Sequence, residues 1–352
     1  PMSARRQRQM CIRDRSVGIG QMLKKNYGTD LRIIPGKNDV SRMVPLKAGQ
    51  AEICACGIAS LFAQEGVFMF ADKKWGPMKV YNMFNNIGRN GQTVATAKDA
   101  NIKTMADLKG KRVTWVKGSP ALNGNMAGFL AFGGLTWDDV IKVEVSGYGA
   151  SANAVINGQA DASMGSSVSS IFNKTNASPR GLFFPPMPHN DEVSWKRAIA
   201  TAPHFAKAVV TNFVGSSDSN KSFEGMNYPY PIFVTMETTS EDLSYHLTEA
   251  VMNNYDQFKD SGPGMDGYQL SNQNFSWIFP YHPGAVKFYK KKGVWTSKHD
   301  KHNANLIKRQ DVLAKAWQKT LKANLSGDAF KKKWLENRAS ALKAAGMPNA
   351  YN

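Results

Sequence analysis

The stretch "VKGSPALNGNMAGFLAFGGL" (116–135) decides how this 352-residue chain is read. Before it, the apolar run "RVTWV" (112–116) reads as a strand. Gly118, Ser119, Asn123, Gly124 and Asn125 then form a turn of small polar residues, and Met126, Phe129, Leu130 and Leu135 are the apolar positions of a helix. Strand, short loop and helix in that order is the unit of parallel sheets, whose crossovers need a helix to pack back on them. Upstream, Thr104 reads as an N-cap, residues 105–109 as a short helix and Gly110 as its stop. Downstream, Thr136 caps a second helix start with Asp138 and Asp139 in its first turn, before a strand at 143–145.

Two segments echo one another. "LKAGQAEICACGIASLF" (46–62) and "VINGQADASMGSSVSSIF" (155–172) each hold a helix end, a glycine, Gln-Ala-acid, a short strand and a small-residue turn into a new helix. Gly49 and Gly158 are expected as left-handed C-cap residues. The fold class expected is α/β with at least two mostly parallel sheets flanked by helices. In such sheets ligands sit beyond the C-terminal strand ends. Three loops take that place: "ACGIAS" (55–60), "KGSPALNGN" (117–125) and "SMGSSVSS" (163–170). Small residues let backbone N–H groups approach a solute, and the helix dipole favours an anionic one. The competing reading is that Gly and Ser simply make tight strand-to-helix turns.

Composition is that of a globular protein, 42% hydrophobic and 20% charged, with no apolar run near the roughly 20 residues that cross a bilayer. Cys54 and Cys56 share one face of a strand and read as small buried apolar residues, not as a bridge or metal clip. Residues 1–15, "PMSARRQRQMCIRDR", lack the apolar segment of a signal peptide, and "QMCIRDR" resembles the translated end of a transposon used to fragment DNA. They are expected to be an artefactual or disordered leader in place of the true N-terminus. The net charge is +18, and +14 without that leader. Such a balance admits a nucleic-acid binder, yet the charge is spread widely and no helix-turn-helix, zinc-finger or aromatic RNA-binding signature accompanies it.

The order "DLKGKRV", the Gly-Ser loop, "GGLTWDDV", "GQADASM" and the late "YHPGAVKFYKKKGVW" (281–295) resembles the substrate-binding proteins of TRAP transporters, of the TAXI type, over residues 40–295. The resemblance implies a two-lobed, periplasmic-binding-protein-like fold of type II. It would close on a small organic anion such as glutamate or 2-oxoglutarate and pass it to the TRAP membrane permease subunits. It implies a periplasmic protein, working as a monomer, whose signal peptide has been lost from this chain. Lobe 1 is expected at 16–94 with 232–295, lobe 2 at 95–231, and a helical extension at 296–352 packed on lobe 1. Gly118, Ser119, Asn123 and Asn125 would hold a carboxylate, with Ser163, Ser166 and Ser167 from the next loop and Gly57 and Ser60 from the facing lobe. Trp115 or Tyr148 would wall the interlobe cleft. Asn123 and Asn125 stand where the family more commonly places a hydroxyl.

Within the extension, Leu313, Trp317, Leu321 and Leu325 at i, i+4 spacing give an amphipathic helix ended by Gly327. A second helix stops at Gly346 and Pro348. An enzyme on the same fold would need a titratable group in the cleft, and none is found. There is no nucleophile elbow and no paired-carboxylate motif. "HDKH" (299–302) reads as a polar surface loop and not a metal clip, and His282 as a structural residue before Pro283. No catalytic residue, metal ligand, cofactor or nucleic-acid partner is assigned.

Overall fold

The computed structural model describes residues 16–34, 39–262 and 264–351; the leader lies outside them. The chain forms two compact units. An insert unit comprises Ile87–Pro229 and Lys259–Gly267; a frame unit comprises Ser16–Asn86, Tyr230–Phe258 and the chain from Tyr268 onward. These boundaries differ from those expected at 94/95 and 231/232. The strand Gln92–Thr96 pairs inside the insert unit and carries the crossing upstream.

The frame unit opens with a helix over 16–27 (α1), then α2 (Asp39–Lys47), β1 (Cys54–Cys56), α3 (Ala59–Glu65) and β2 (Val80–Asn85). It resumes with β9 (Ile232–Met236), α8 (Glu241–Asn253), α9 (Pro283–Lys291), α10 (Ser297–Leu321) and α11 (Gly327–Ala344). The insert unit holds β3 (Gln92–Thr96), β4 (Arg112–Val116), α4 (Pro120–Phe132), β5 (Ile141–Val145), α5 (Tyr148–Ile156) and β6 (Ala162–Ser166). It continues with α6 (Ser170–Ala177), α7 (Glu192–Thr201), β7 (Ala206–Val210) and β8 (Phe223–Asn227).

The molecule is a two-sheet α/β protein with flanking helices, and the pairing within the sheets departs from the expected parallel pattern. In the frame unit the order is β1-β9-β2, with β9 antiparallel to both neighbours. In the insert unit the order is β5-β4-β6-β3-β8-β7. Its β5-β4-β6 half is parallel, as the strand–loop–helix repeats require, and its β3-β8-β7 half is antiparallel. β3 runs from Gln92, opposite Ser166, to Thr96, opposite Ala162.

Glycines set several boundaries. Gly49 and Gly158 adopt φ of 66° and 73°, the left-handed stops read from the sequence. Gly327 instead starts α11, behind its N-cap Ser326. Thr104 and Thr136 make capping boxes with Asp107 and Asp139, each opening a single 3₁₀ turn. "HDKH" is not a loop but the first turn of α10: the His299 Nδ1 accepts the Thr296 N–H at 3.1 Å, and His302 Nε2 lies 2.7 Å from the Trp277 carbonyl. Cys54 and Cys56 are joined as a disulfide, which corrects the reading of both as free; their same-face spacing in β1 brings the sulfurs together.

The C-terminal helices are keyed into the frame unit. Leu313 and Trp317 of α10 pack against Phe330, Trp334 and Leu342 of α11 in one buried cluster. The Trp334 indole N–H donates to the Gly66 carbonyl at 2.5 Å. Glu65, at the end of α3, receives Arg309 at 2.7 Å and the fully buried Arg338 at 2.6 Å. Burial pushes the Glu65 carboxyl up, but the hydrogen bonds and charges of the two guanidinium groups outweigh it and hold it below the ordinary range. The last turns close over both arginines, with the Pro348 carbonyl accepting from Arg309 and the Ala350 carbonyl from Arg338.

Candidate functional site

β5, β4 and β6 are adjacent and parallel, so their C-terminal ends share one edge of the insert sheet. Each runs through a short loop into a helix of its own: β4 into α4, β5 into α5, β6 into α6. Gly118 turns the first loop at φ 68°, a conformation a side chain would strain although it would meet open space. The Lys117 N–H donates to the Val145 carbonyl at 2.9 Å and ties this loop to the neighbouring strand.

The three helices start without side-chain caps. Ser119 is the N-cap of α4, Gly147 of α5 and Ser169 of α6, and none of the three makes a capping hydrogen bond. Asp191, Ser240 and His282 cap α7, α8 and α9 by accepting a backbone N–H, Thr296 makes a capping box on α10, and α3 and α11 also start without a side-chain cap. A helix that starts without a side-chain cap still directs the positive end of its dipole at whatever lies beyond it. Three of them along one edge make an anion-attracting row. Ser119 is buried at 7% exposure, with its backbone N–H donated to the Val116 carbonyl at 3.2 Å.

The structure gathers some of the sequence-selected residues here and assigns others elsewhere. Gly118, Ser119, Tyr148, Ser166 and Ser167 all lie at or just beyond the C-terminal ends of these strands. The Ser167 hydroxyl is engaged by the fold, donating to the Asn212 carbonyl at 2.8 Å and accepting the Gly91 N–H at 3.1 Å. Ser166 accepts from Asn90 Nδ2 at 3.2 Å. Tyr148 lays its hydroxyl against Gly165 and packs on the cluster around Phe172.

Asn123 reaches back to β4: its Oδ1 accepts the Val116 N–H at 2.9 Å and its Nδ2 donates to the Val116 carbonyl at 3.0 Å. Both ends of its carboxamide thereby extend the strand ladder. Asn125 lies deeper in α4, where Oδ1 is 2.8 Å from His204 Nε2 and Nδ2 is 3.4 Å from the Tyr228 hydroxyl. Burial drives the His204 pKa down to about 3, so the imidazole is neutral and Nε2 carries the proton that Asn125 accepts. Ser163 lies within β6 opposite Ala95, away from the edge. The Trp115 ring is committed to Trp137, edge to face at 4.8 Å.

Gly57 and Ser60 belong to the frame unit, where the Ser60 hydroxyl donates to the Gly57 carbonyl at 2.8 Å. Asp161 of "GQADA" sits at the opposite edge, between Arg112 at 2.6 Å and Arg180 at 3.3 Å. Burial raises its carboxyl, and the Arg112 hydrogen bonds and charge outweigh that and lower it. His282 is structural, accepting the Gly284 N–H at 3.3 Å, with Nε2 3.1 Å from the Thr239 carbonyl. The loop missed from sequence is Ser146-Gly147. Its Ser-Gly pair between a strand and a helix was the available signal.

Residues 16–293 match the model of the NMT1-like family, and the chain belongs to that family. A search of curated proteins finds no match. Among solved structures, the chain is similar to the alkanesulfonate-binding protein SsuA from Xanthomonas axonopodis pv. citri bound to MOPS. Identity is 16% over 89% of this chain and 91% of that one, with a TM-score of 0.42. It is also similar to an ABC transporter periplasmic binding protein from Brucella ovis with glutathione bound, at 12% identity over 72% and 67% and a TM-score of 0.42. A third is the amino acid ABC transporter substrate-binding protein AbpA from Streptococcus pneumoniae bound to L-arginine, at 15% identity over 70% and 84% and a TM-score of 0.40. No helix among the described residues is long and apolar enough to cross a membrane.

Proposed function

We propose that this chain is a periplasmic solute-binding protein, working as a monomer, that captures a small organic anion and delivers it to a membrane permease without turning it over. The observation that carries the reading is the row of uncapped N-termini of α4, α5 and α6. Three helix dipoles aimed at one edge favour a carboxylate over a neutral group, and Gly118 and Gly147 let a solute come close to the backbone. The edge supplies hydroxyls and amides, which bind and orient; the nearby imidazole, His204, is buried and engaged with Asn125. Glutamate, 2-oxoglutarate or a related acid fits this donor set. The motif order across 40–295 supports a permease of the TRAP type, TAXI class.

The test is a thermal-shift screen at low and moderate salt against dicarboxylates, 2-oxo acids, acidic amino acids, alkanesulfonates and glutathione. A salt-tolerant rise in Tm with one small acid is expected, by mass action on the folded state. Ser119→Ala is expected to weaken that acid at least about tenfold, some 1.4 kcal/mol, if its hydroxyl makes a charge-assisted bond. Silence from every acid ends the assignment, and full affinity in the Ser119→Ala protein removes that hydroxyl from the site.

A further inference from the structure

α10 and α11 lie beyond the family match, and they carry charge that the site does not use. Residues 296–352 hold twelve Lys and Arg against four Asp and Glu, a net +8 of the chain's +18. Arg309 and Arg338 are spent on Glu65. Lys301, Lys308, Lys315, Lys319 and Lys322 are spaced by seven, seven, four and three residues along α10 and its C-cap, and all five are exposed. At about 100° per residue they fall in one stripe about 60° wide, and at about 1.5 Å per residue it runs for roughly 32 Å. The one acid on α10 within that span, Asp311, is held by Lys79 at 3.0 Å. Among the described residues, none of the five lysines has an acidic partner.

We propose that this stripe is an adsorption surface for the headgroups of an anionic phospholipid membrane, independently of what the insert unit binds. Side-chain chemistry selects that partner. Protein interfaces are enriched in Arg and aromatic residues and depleted in Lys, and their centres seat large apolar anchors. Here the remaining exposed residues across the span are Ala304, Asn305, Asp311 and Gln318, none of which fills a pocket or inserts into a bilayer. A straight row of hydrated ammonium groups matches a diffuse sheet of negative charge. Stacking aromatics, which would mark a single-strand nucleic-acid groove, are missing from the same face.

The test is co-sedimentation of the full chain with phosphatidylcholine vesicles, with and without phosphatidylglycerol, at low and physiological salt. Binding is expected only to the phosphatidylglycerol vesicles, weakening as salt rises. Replacing the five stripe lysines by Gln is expected to lower it at least about a hundredfold. A control replaces five exposed lysines of the insert unit, Lys103, Lys109, Lys174, Lys196 and Lys221, by Gln; it has the same net charge and is expected to keep the binding. Circular dichroism melting of both variants confirms that each is folded. The proposal falls if wild type ignores phosphatidylglycerol, if the two variants lose binding equally, or if the stripe is required for duplex DNA and not for vesicles.

Discussion

Ser119 and Asn123 lie one helical turn apart, yet only one is left for a ligand. The Asn123 carboxamide completes the end of β4, whereas the Ser119 hydroxyl makes no capping bond. Sequence reading grouped them because both are small and polar. It had no means of knowing that Asn123 would face Val116 and Asn125 would face His204, since those partners depend on how the helix is rotated against the sheet. A sharper residue-scale consequence concerns Gly165 in β6, where a β-carbon would collide with the Tyr148 hydroxyl and come within 2.8 Å of the Phe172 ring. Gly165→Ala is expected to destabilise the protein by about 1–3 kcal/mol through overpacking, read as a lower urea midpoint. An unchanged midpoint would mean that Tyr148 moves freely aside.

At the scale of elements, Glu65 joins α3 to α10 and α11. Glu65→Gln leaves the fully buried Arg338 without its countercharge, and the expected cost is about 3–5 kcal/mol in denaturant melts. Replacing Glu65, Arg309 and Arg338 together by apolar residues of similar size should cost much less, because no unpaired charge then remains buried. Helix stops and strand–helix repeats were legible in the sequence, since Gly49, Gly158 and the capping threonines act through local backbone geometry. The antiparallel β3-β8-β7 half was not. Its β3–β8 pairing joins residues far apart in sequence, and fully buried strands such as β3 show no alternation to mark a face. Gly327 misled for a related reason, as the same residue type can end one helix or begin the next.

For the molecule as a whole, acid is the informative perturbation. Folded His204 refuses a proton down to about pH 3, while the unfolded chain accepts one near the ordinary imidazole value of 6.5. Stability is therefore expected to fall as pH drops below about 6.5, because the unfolded state binds more protons there. Glu65 and Asp161, both held below the ordinary carboxyl range, contribute stability above about pH 4 that is lost further down. Urea midpoints against pH should show both phases, and His204→Gln should flatten the upper one. Loss confined to the region below about pH 4 would show that His204 is hydrated and titrates normally.

The ion cluster at Glu65 also orders events during synthesis. Glu65 leaves the ribosome early, but Arg309, Arg338 and the carbonyls of Pro348 and Ala350 that surround them emerge more than 240 residues later. The insert unit has nearly all of its chain by Pro229 and can gather its sheet first. The nascent frame unit must meanwhile wait with the Glu65 carboxylate hydrated and Ala71 short of the apolar cluster that α10 and α11 complete.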